Sequence, residues 1–366
     1  MTEVQWGEHI NLITGPNGAG KTNLLDAIHY LCMGRSFASS SDQYVVMQGE
    51  RSFLIRGIFD GSLRRDFEIS CSFERGEGKK LWVNRSPLTR HADLIGLVPV
   101  VLVSPADRKL TGEGPAERRA FLDAMIAQTS ASYLEDLIRY RKIVRQRNRV
   151  LSDWHDRPDR LPHVLEPWDV QLVETGTRIT HRRSAVIRSF QKCLEKAHGE
   201  LAGTELIPFV TYRTFCDPCL EPPEMKQAFF ELLRERAPRE AERMVTTAGP
   251  HRDDLVFRLN DMELRKFGSQ GQHRIFALAL KMAQLYYYSE RLDDRPVFLL
   301  DDVFGDLDPQ RTNVVMTMLA QHPGQSFVTA AHPDKLTGFT AGKNHRIASF
   351  RVDEGRVKVD RIDDPN

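Results

Sequence analysis

Residues 15–22, Gly-Pro-Asn-Gly-Ala-Gly-Lys-Thr, restrict the possible folds more than any other segment. They match the phosphate-binding loop pattern G-x-x-x-x-G-K-[ST] at every fixed position. The three glycines allow successive backbone N–H groups to turn toward the phosphates of a nucleoside triphosphate. We expect Lys21 to reach the β- and γ-phosphates and the Thr22 hydroxyl to hold Mg²⁺.

The sequence around this loop predicts a strand before it and a helix after it. Residues 10–13 read as a short buried strand, and residues 24–31 read as a helix whose N-terminus adds positive potential at the phosphates. An accidental match of a glycine-rich turn is therefore disfavoured. The predicted nucleotide contacts in this segment are Gly15, Pro16, Asn17, Gly18, Ala19, Gly20, Lys21, Thr22 and Asn23.

Length and composition limit the class of protein. With 366 residues and 41% hydrophobic content, the chain is long enough for about two domains. No apolar run approaches the ~18 residues that cross a bilayer, and no signal-like segment opens the chain, so we expect a cytoplasmic protein without membrane contacts. Because 51 Lys and Arg nearly balance 50 Asp and Glu, a polyanionic partner has to be bound by a local patch. The lone C-x-x-C at residues 216–219 predicts a loop with two thiols and not a zinc site.

Strand patterns follow the first helix. Apolar and polar residues alternate over residues 67–73, as in a half-buried antiparallel strand, and residues 52–59 and 80–84 are predicted as its neighbours. Residues 98–103 are continuously apolar and predict a strand that is buried on both faces.

Residues 115–246 have the composition of long, charged helices and predict an inserted arm domain. We expect two antiparallel helices there, the second spanning about residues 168–201. The remaining residues, 1–114 and 247–366, are predicted to form the head domain.

Three arginines of the first arm helix, Arg141, Arg145 and Arg149, are spaced four apart and predict a basic ridge. An apolar seam with a spacing of seven occupies another face of the same helix. The ridge is a candidate contact for DNA phosphates. The alternative is a solvated helix face paired with acidic neighbours, which a charge run by itself favours.

Head-like sequence returns after the arm with a predicted hairpin, residues 255–259 and 263–267. The sequence Ser269-Gln270-Gly271-Gln272 then stands at the start of a helix that we expect to reach about residue 290. Exposed N–H groups at this helix start, together with the Ser269 hydroxyl, predict a second anion site, to which Gly271 and Gln272 also belong.

The apolar residues 297–300 end in two acids, which is the Walker B arrangement. Asp301 is expected near Mg²⁺, and Asp302 is expected to orient or deprotonate the attacking water. His332 ends a later predicted strand, where a neutral imidazole can sense a γ-phosphate, although a single histidine at a strand end is usually incidental.

The P-loop, the Ser-x-Gly-Gln unit, the Walker B strand and the Leu-Asp loop after it occur in an order that resembles the ABC-type ATPase heads of chromosome maintenance and repair proteins. The resemblance is closest to the RecF family of recombination mediators. It rests on residues 104–107, 114–123, 146–148, 249–254, 269–272 and 299–302. This resemblance implies an α/β fold, namely an ABC-type P-loop ATPase head, with a mixed sheet, an antiparallel β lobe and an inserted helical arm domain.

The resemblance also implies a function. Members of this family are ATP-binding proteins of DNA replication and repair, which bind duplex DNA near gaps or junctions and work with RecO and RecR to load RecA. In an ATP-dependent homodimer, Ser269 of one copy closes on the γ-phosphate held by Lys21 of the other, and Asp308 joins the cofactor site. Slow ATP hydrolysis then resets the dimer.

This sequence departs from the family pattern at a few positions. Ala106 and Ala38 stand where the family carries an acid and an arginine, and Gly305-Asp306 replaces its usual small-residue and glutamate pair. None of these changes removes a predicted phosphate or metal ligand. The family also opens with an extra strand, whereas nine residues precede position 10 here, so either translation starts upstream of Met1 or the adenine contacts are made differently.

Other functions share parts of this pattern. A transporter ATPase subunit would normally carry a Leu-Ser-Gly-Gly signature, which residues 267–271 do not have. An SMC-like clamp requires much longer heptad repeats than this arm provides. A small-molecule P-loop kinase does not need the Ser269 motif, and an ATP-gated scaffold that does not bind DNA stays open as an alternative.

Overall fold

The structure is a computed structural model, which describes residues 2–61, 66–154, 160–331 and 347–362. The chain divides into two compact units. The first comprises residues 1–108, 196–205 and 277–366, and the second comprises residues 109–195 and 206–276.

The described residues contain strands and helices that we number in chain order. The strands are β1 Ile10–Thr14, β2 Ser52–Phe59, β3 Phe67–Glu74, β4 Gly78–Val83, β5 Ser86–Pro87, β6 Val100–Val103, β7 Pro208–Arg213, β8 Asp254–Leu259, β9 Met262–Glu263, β10 Val297–Leu300, β11 Ser326–Ala330, β12 Ile347–Asp353 and β13 Arg356–Ile362. The helices are α1 Lys21–Met33, α2 Arg108–Gly112, α3 Pro115–Thr129, α4 Ala131–Asp153, α5 Leu161–Ala202, α6 Pro222–Arg243, α7 Leu264–Phe267, α8 Gln270–Arg291 and α9 Pro309–Gln321.

A six-stranded sheet in the order β13-β12-β1-β11-β10-β6 organises the first unit. Its pairings are parallel except for the antiparallel hairpin of β12 and β13. Every residue of β1, β10 and β11 is buried, as expected for central parallel strands that are covered on both faces. The carboxyl ends of β1, β10 and β11 therefore lie side by side at one edge of the sheet.

A four-stranded antiparallel sheet, β2-β3-β4-β5, forms a second layer of the same unit. In β3 the apolar residues Phe67, Ile69, Cys71 and Phe73 are buried and alternate with more exposed polar ones. Phe67, Ile69 and Cys71 pack in one core cluster with residues of β1, α1 and β12. This sheet confirms the antiparallel lobe that the sequence predicted.

The second unit contains the helices α3, α4 and α6, most of α5, and the three-stranded sheet β7-β8-β9. Asp136 on α4 pairs with Arg178 on α5, and Arg147 pairs with Asp169, so sequence numbers rise along one helix as they fall along the other. The two helices are thus antiparallel, as predicted. The second begins earlier than expected, at Leu161, since Pro162 lies in the first helical turn, where proline is tolerated, and the helix continues through Pro167.

Arg147 is a fully buried cation at the centre of α4. Its guanidinium donates to Glu240 at 2.5 Å, to Asp169 at 2.6 Å and to the Thr246 hydroxyl at 3.0 Å. The other Glu240 oxygen accepts from the backbone N–H groups of Thr247 and Ala248. Charges are stable in a protein interior only when they are paired and hydrogen-bonded in this way.

A second buried cation, Arg183 on α5, connects the helices to the start of β8. It donates to Asp123 at 2.8 Å, to Asp253 at 3.1 Å and to the Pro250 carbonyl at 2.7 Å. Tyr212 on β7 donates to Asp253 as well. This network links α3, α5, β7 and the segment before β8.

The prediction of a strand over residues 263–267 was wrong for most of its length. Only Met262–Glu263 pairs with β8, and the following Leu264–Phe267 forms one helical turn, closed by the Gly268 N–H donating to the Leu264 carbonyl at 2.8 Å. Leu, Arg and Lys have good helix propensity, and Leu264 is fully buried. Helix propensity and the burial of Leu264 together favour one helical turn over further strand pairing with β8.

The two compact units differ from the predicted head and arm in three segments. Residues 196–205, which we assigned to the arm, belong to the first unit, and residues 109–114 and 247–276 belong to the second. A head of residues 1–114 and 247–366 with an arm of residues 115–246 stays a proposal about domain function.

Among the residues that the structure describes, no helix combines the length and the apolar character needed to cross a membrane.

The Arg147 cluster leads to a prediction about stability. Arg147→Met leaves Glu240 buried without its cation, so the free energy of unfolding should fall by about 3–5 kcal/mol in denaturant titrations. Arg149→Met, two residues along the same helix, removes an exposed pair with Asp153 and should change it by less than about 0.5 kcal/mol. Equal effects of the two substitutions would contradict the structural role of Arg147.

Candidate functional site

The phosphate-binding loop connects β1 to α1 in a backbone conformation that requires glycine. Gly15, Gly18 and Gly20 have φ angles of 151°, 80° and 105°. A Cβ atom on Gly15 would lie 2.2 Å from the Val352 carbonyl oxygen of the neighbouring strand β12, so no other residue fits there. Among the described residues, the N–H groups of Gly18 and Gly20 have no hydrogen-bond acceptor, which suits an anion cradle.

The turn between β12 and β13 holds this loop in place. The Gly355 N–H donates to the Ala19 carbonyl at 3.0 Å, and the Gly355 Cα lies 3.7 Å from where a Cβ on Gly20 would be. The Ala19 carbonyl and the Gly20 N–H share one trans peptide plane and point in opposite directions. By fixing the carbonyl, Gly355 orients the Gly20 N–H away from the hairpin.

Lys21 begins α1 and is buried. Its ammonium donates to the carbonyls of Gly15 at 2.7 Å and Pro16 at 2.8 Å. These bonds hold the positive charge against the loop itself, at the place where the sequence predicts the β- and γ-phosphates.

The structure brings Thr22 together with Asp301, 279 residues away in the chain. The Thr22 hydroxyl donates to the two Asp301 carboxylate oxygens at 3.0 and 3.2 Å. Thr329, next to the end of β11, donates to Asp301 at 2.9 Å and accepts from the Asp302 N–H at 2.9 Å. Adjacent parallel strands β10 and β11 make this arrangement possible.

Burial raises the pKa of Asp301 above its ordinary value, and the Asp302 charge adds to this effect, while hydrogen bonds from Thr329 and Thr22 and the charge of Lys21 act in the opposite direction. The protonated form is therefore favoured more in the folded protein than in the unfolded chain. A cation bound beside the carboxylate would favour the charged form instead.

Asp302 is exposed and has a left-handed backbone, with φ of 48°. Non-glycine residues rarely adopt this conformation, and such strain tends to occur at functional sites. The turn separates the two neighbouring acids, so that Asp301 points to Thr22 while Asp302 is accessible to water.

One carboxylate and one hydroxyl, from Asp301 and Thr22, match the small number of protein ligands that Mg²⁺ takes when nucleotide phosphates and water supply the rest. In the described parts of the chain, no cluster of three His, Cys, Asp or Glu residues forms an all-protein metal site. The thiols of Cys216 and Cys219 are free.

The signature motif lies in the second unit, at the start of α8. Ser269 and Gln272 form a reciprocal capping box: the Gln272 N–H donates to the Ser269 hydroxyl at 3.2 Å, and the Ser269 N–H donates to the Gln272 side chain at 2.8 Å. Ser269, Gln270 and Gly271 are exposed. The motif is thus a rigid, accessible helix start, and its contact with a nucleotide stays a prediction.

Of the two remaining predicted site residues, the structure describes Asp308 but not His332. Asp308 caps α9 by accepting from the Arg311 N–H at 2.9 Å and also pairs with the Arg311 guanidinium. The backbone hydrogen bond first, and then the guanidinium, lower the pKa of Asp308. His332 lies outside the described residues.

The predicted basic ridge is exposed along α4. Arg141 lies 3.5 Å from Asp123, and Arg149 lies 3.5 Å from Asp153. Arg145 has no acidic partner among the residues described. Arg141 and Arg149 thus have acidic neighbours, as the alternative interpretation predicts, and contact of the ridge with phosphates stays a prediction.

Sequence reasoning missed Thr329 and Gly355 as parts of the site. Thr329 lies in a continuous apolar run with no motif, and Gly355 follows Glu354 in a turn far from the loop in sequence. Of these two residues, only Gly355 could have been found from the sequence. A glycine between two segments in which apolar and polar residues alternate indicates a hairpin turn.

Comparison with known proteins identifies the family. The model of the RecF/RecN/SMC N terminal domain matches residues 1–351. The DNA replication and repair protein RecF of Salinibacter ruber is 42% identical over 98% of this chain and 88% of its own length, and that of Chloroherpeton thalassium is 38% identical over 93% of each. The chain belongs to the RecF family. Its predicted resemblance is thereby confirmed.

Solved structures agree with this RecF assignment. The structure titled "recombination mediator protein RecF-ATP in RecFOR pathway" aligns with a TM-score of 0.87 at 29% identity, covering 97% of this chain and 92% of that one. A Pyrococcus furiosus Smc head aligns at 0.53 with 15% identity, which shows the shared fold alone. The fold is that of an ABC-type ATPase head, as predicted.

The contact between Gly355 and the loop leads to a prediction about nucleotide affinity. Gly355→Ala places a side chain at a φ of 75°, which strains the turn by about 1–2 kcal/mol. If this turn orients the loop, the Kd for a fluorescent ATP analogue should rise by up to about tenfold in equilibrium titrations.

Gly76→Ala is the matched control, because Gly76 also has a positive φ in a hairpin turn and an added Cβ meets no atom within 4 Å at either glycine. The control should bind the analogue like the unmodified protein, and a parallel loss would mean that turn strain acts through general destabilisation.

A second prediction concerns pH. Because the folded-state pKa of Asp301 is raised, stability from this group is present at low pH and is lost as pH rises through that pKa. The Asp301→Asn variant has no carboxylate to ionise at this position, so it does not lose stability in this way. It should be more stable than the unmodified protein at pH 7, but not at pH 4, in unfolding experiments without nucleotide or Mg²⁺. An unchanged pH profile for Asp301→Asn would refute the assigned shift.

Proposed function

We propose that this protein is an ATP-dependent DNA-binding protein of recombinational repair and replication, acting in the cytoplasm. It dimerises when ATP binds, engages duplex DNA near single-strand gaps or junctions, and works with RecO and RecR to help load RecA. The hydrogen bond between Thr22 and Asp301 carries the nucleotide part of this proposal, because it joins the phosphate loop to the Walker B acid in one site.

Bound ATP with Mg²⁺ supplies an activated γ-phosphate and the charge that balances Asp301. Lys21 exchanges its bonds to the Gly15 and Pro16 carbonyls for phosphate oxygens, and the Gly18 and Gly20 N–H groups donate to the same anion. Asp302, which is exposed, would orient or deprotonate the attacking water. His332 is proposed to sense the γ-phosphate.

Dimerisation is proposed because one copy of the chain supplies only part of the residues that would surround the γ-phosphate. The exposed Ser269 and Gly271 of a second copy, together with Gln272, would donate to the γ-phosphate, and Asp308 of that copy would complete the contact. ATP then stabilises the dimer through contacts that neither copy makes alone, and slow hydrolysis removes them. Nucleotide state would in this way control DNA affinity.

The DNA part of the proposal is supported by the exposed ridge of Arg141, Arg145 and Arg149 on α4. Their pairs with Asp123 and Asp153 are long and solvent-exposed on the arginine side, so exchanging these partners for phosphates costs little.

Lys21→Met tests the dimer. It removes the cation that holds the phosphates, so ATP-induced dimerisation measured by light scattering should be lost. Asp302→Asn is the matched control, because it keeps ATP binding and should trap the dimer by slowing hydrolysis. Dimerisation of Lys21→Met on addition of ATP would refute the proposed arrangement.

The ridge is tested by Arg141→Glu with Arg145→Glu. Duplex DNA affinity should fall by at least about tenfold, and the dependence of log K on log salt should become less steep, because each lost phosphate contact lowers that slope by about 0.9. Nucleotide affinity should stay unchanged. If DNA binding is unaffected, DNA is bound at another surface.

A further inference from the structure

The three-stranded sheet of the second unit has one face that carries an unusual group of cations. Arg213 on β7 pairs in register with Asp254 on β8, and Arg258 on β8 pairs with Glu263 on β9. Residues directly opposite each other in an antiparallel pair share a face, so alternation places all four on the same side of the sheet. The adjoining turn α7 adds Arg265 and Lys266.

A cleft of about 220 Å³ opens on this face. It is lined by Val256, which shares this face of the sheet, by the strand neighbours Leu255 and Phe257, and by Arg213, Arg265 and Lys266. We call Arg213, Arg265 and Lys266 the basic cleft, and Arg258 lies on the same face of the sheet.

The carboxylates near the basic cleft are already engaged. Arg118 holds Asp254 with two bonds of 2.8 and 3.0 Å. Lys266 donates to Glu263 at 2.9 Å; this hydrogen bond first, and then the charges of Lys266, Arg213 and Arg258, lower the pKa of Glu263. Five cations thus surround two carboxylates.

The excess positive charge is not neutralised within the part of the chain that is described. Neither Arg213 nor Arg265 has an acidic partner there, and the buried Nε of Arg258 has no hydrogen-bond acceptor. A buried donor without a partner is costly, and positive charges gathered on one face of a sheet repel each other. An anion bound in the cleft would reduce this repulsion.

The arrangement of donors favours phosphate. Guanidinium groups bind phosphate oxygens in pairs, and donors from β7 and α7 approach the cleft from two elements, which suits a tetrahedral anion. The ring of Phe209 is exposed directly opposite Arg258 in register. An aromatic ring beside cations is typical of surfaces on which nucleic-acid bases stack.

We propose that the basic cleft is a phosphate-binding site, separate from the ridge on α4, and that it holds a backbone phosphate of bound DNA. The identity of the phosphate source rests on the proposed DNA binding. Pyrophosphate has the same chemistry and serves as the probe for a free phosphate compound.

The test uses the full chain with Arg213→Ala and Arg265→Ala combined. In the presence of a non-hydrolysable ATP analogue, the slope of log K for duplex DNA against log salt should become shallower by about 1 to 2, since each phosphate contact contributes about 0.9. The matched control combines Arg234→Ala and Arg239→Ala, two exposed arginines of α6 in the same unit, and should keep the full slope. Equal changes in both variants would mean that net charge alone causes the effect, and this result would overturn the proposed site.

A second measurement does not depend on DNA. In a Lys21→Met background, which weakens the phosphate loop, pyrophosphate should raise the unfolding temperature, and the Arg213 and Arg265 substitutions should abolish that rise. If the Arg213 and Arg265 substitutions abolish the pyrophosphate effect but leave the salt dependence of DNA binding unchanged, the phosphate site is supported. Its ligand is then a free phosphate compound. No change in either measurement overturns it, as does protection by a polyglutamate peptide without protection by pyrophosphate. If the unmodified protein binds no DNA, the proposed function fails, and the pyrophosphate measurement still decides on the cleft.

Discussion

The nucleotide site depends on one hydrogen bond, from the Thr22 hydroxyl to the Asp301 carboxylate. It exists because β1, β11 and β10 are adjacent parallel strands, so that the segments after them meet at one edge of the sheet. Thr329, next to the end of the middle strand, is the bridge: it fixes the Asp301 carboxylate and the Asp302 backbone at once. Binding and hydrolysis residues are therefore positioned by the sheet and not by the loops alone.

A different constraint organises the second unit. Three of the motifs that resembled the RecF family there contain charges with partners in the same unit: Arg118 pairs with Asp254 of another motif, while Asp123 and Arg147 pair with Arg183 and Glu240, which lie outside the motifs. Buried charges without partners are strongly destabilising, so each motif charge requires its partner. The arginines of the α4 ridge, in contrast, are exposed.

Much of the fold was predictable where local pattern and burial agree. The apolar run before Asp301, the alternation in β3 and the strand–loop–helix around Lys21 were predicted correctly, because central strands are buried on both faces and lobe strands on one. Residues 263–267 were not, since a single buried Leu264 outweighed the hairpin pattern.

The sequence by itself determined the phosphate loop, the Walker B acids, the signature motif and the family, because each is a short segment whose residue types are fixed by local chemistry. Only the tertiary structure decided the rest. It placed Thr329 on Asp301 and Gly355 on Ala19, separated an exposed Arg145 from a buried Arg147 two residues away, and gathered Arg213 and Arg265 at one cleft. These contacts depend on strand order and helix rotation, which join residues that are far apart in the chain.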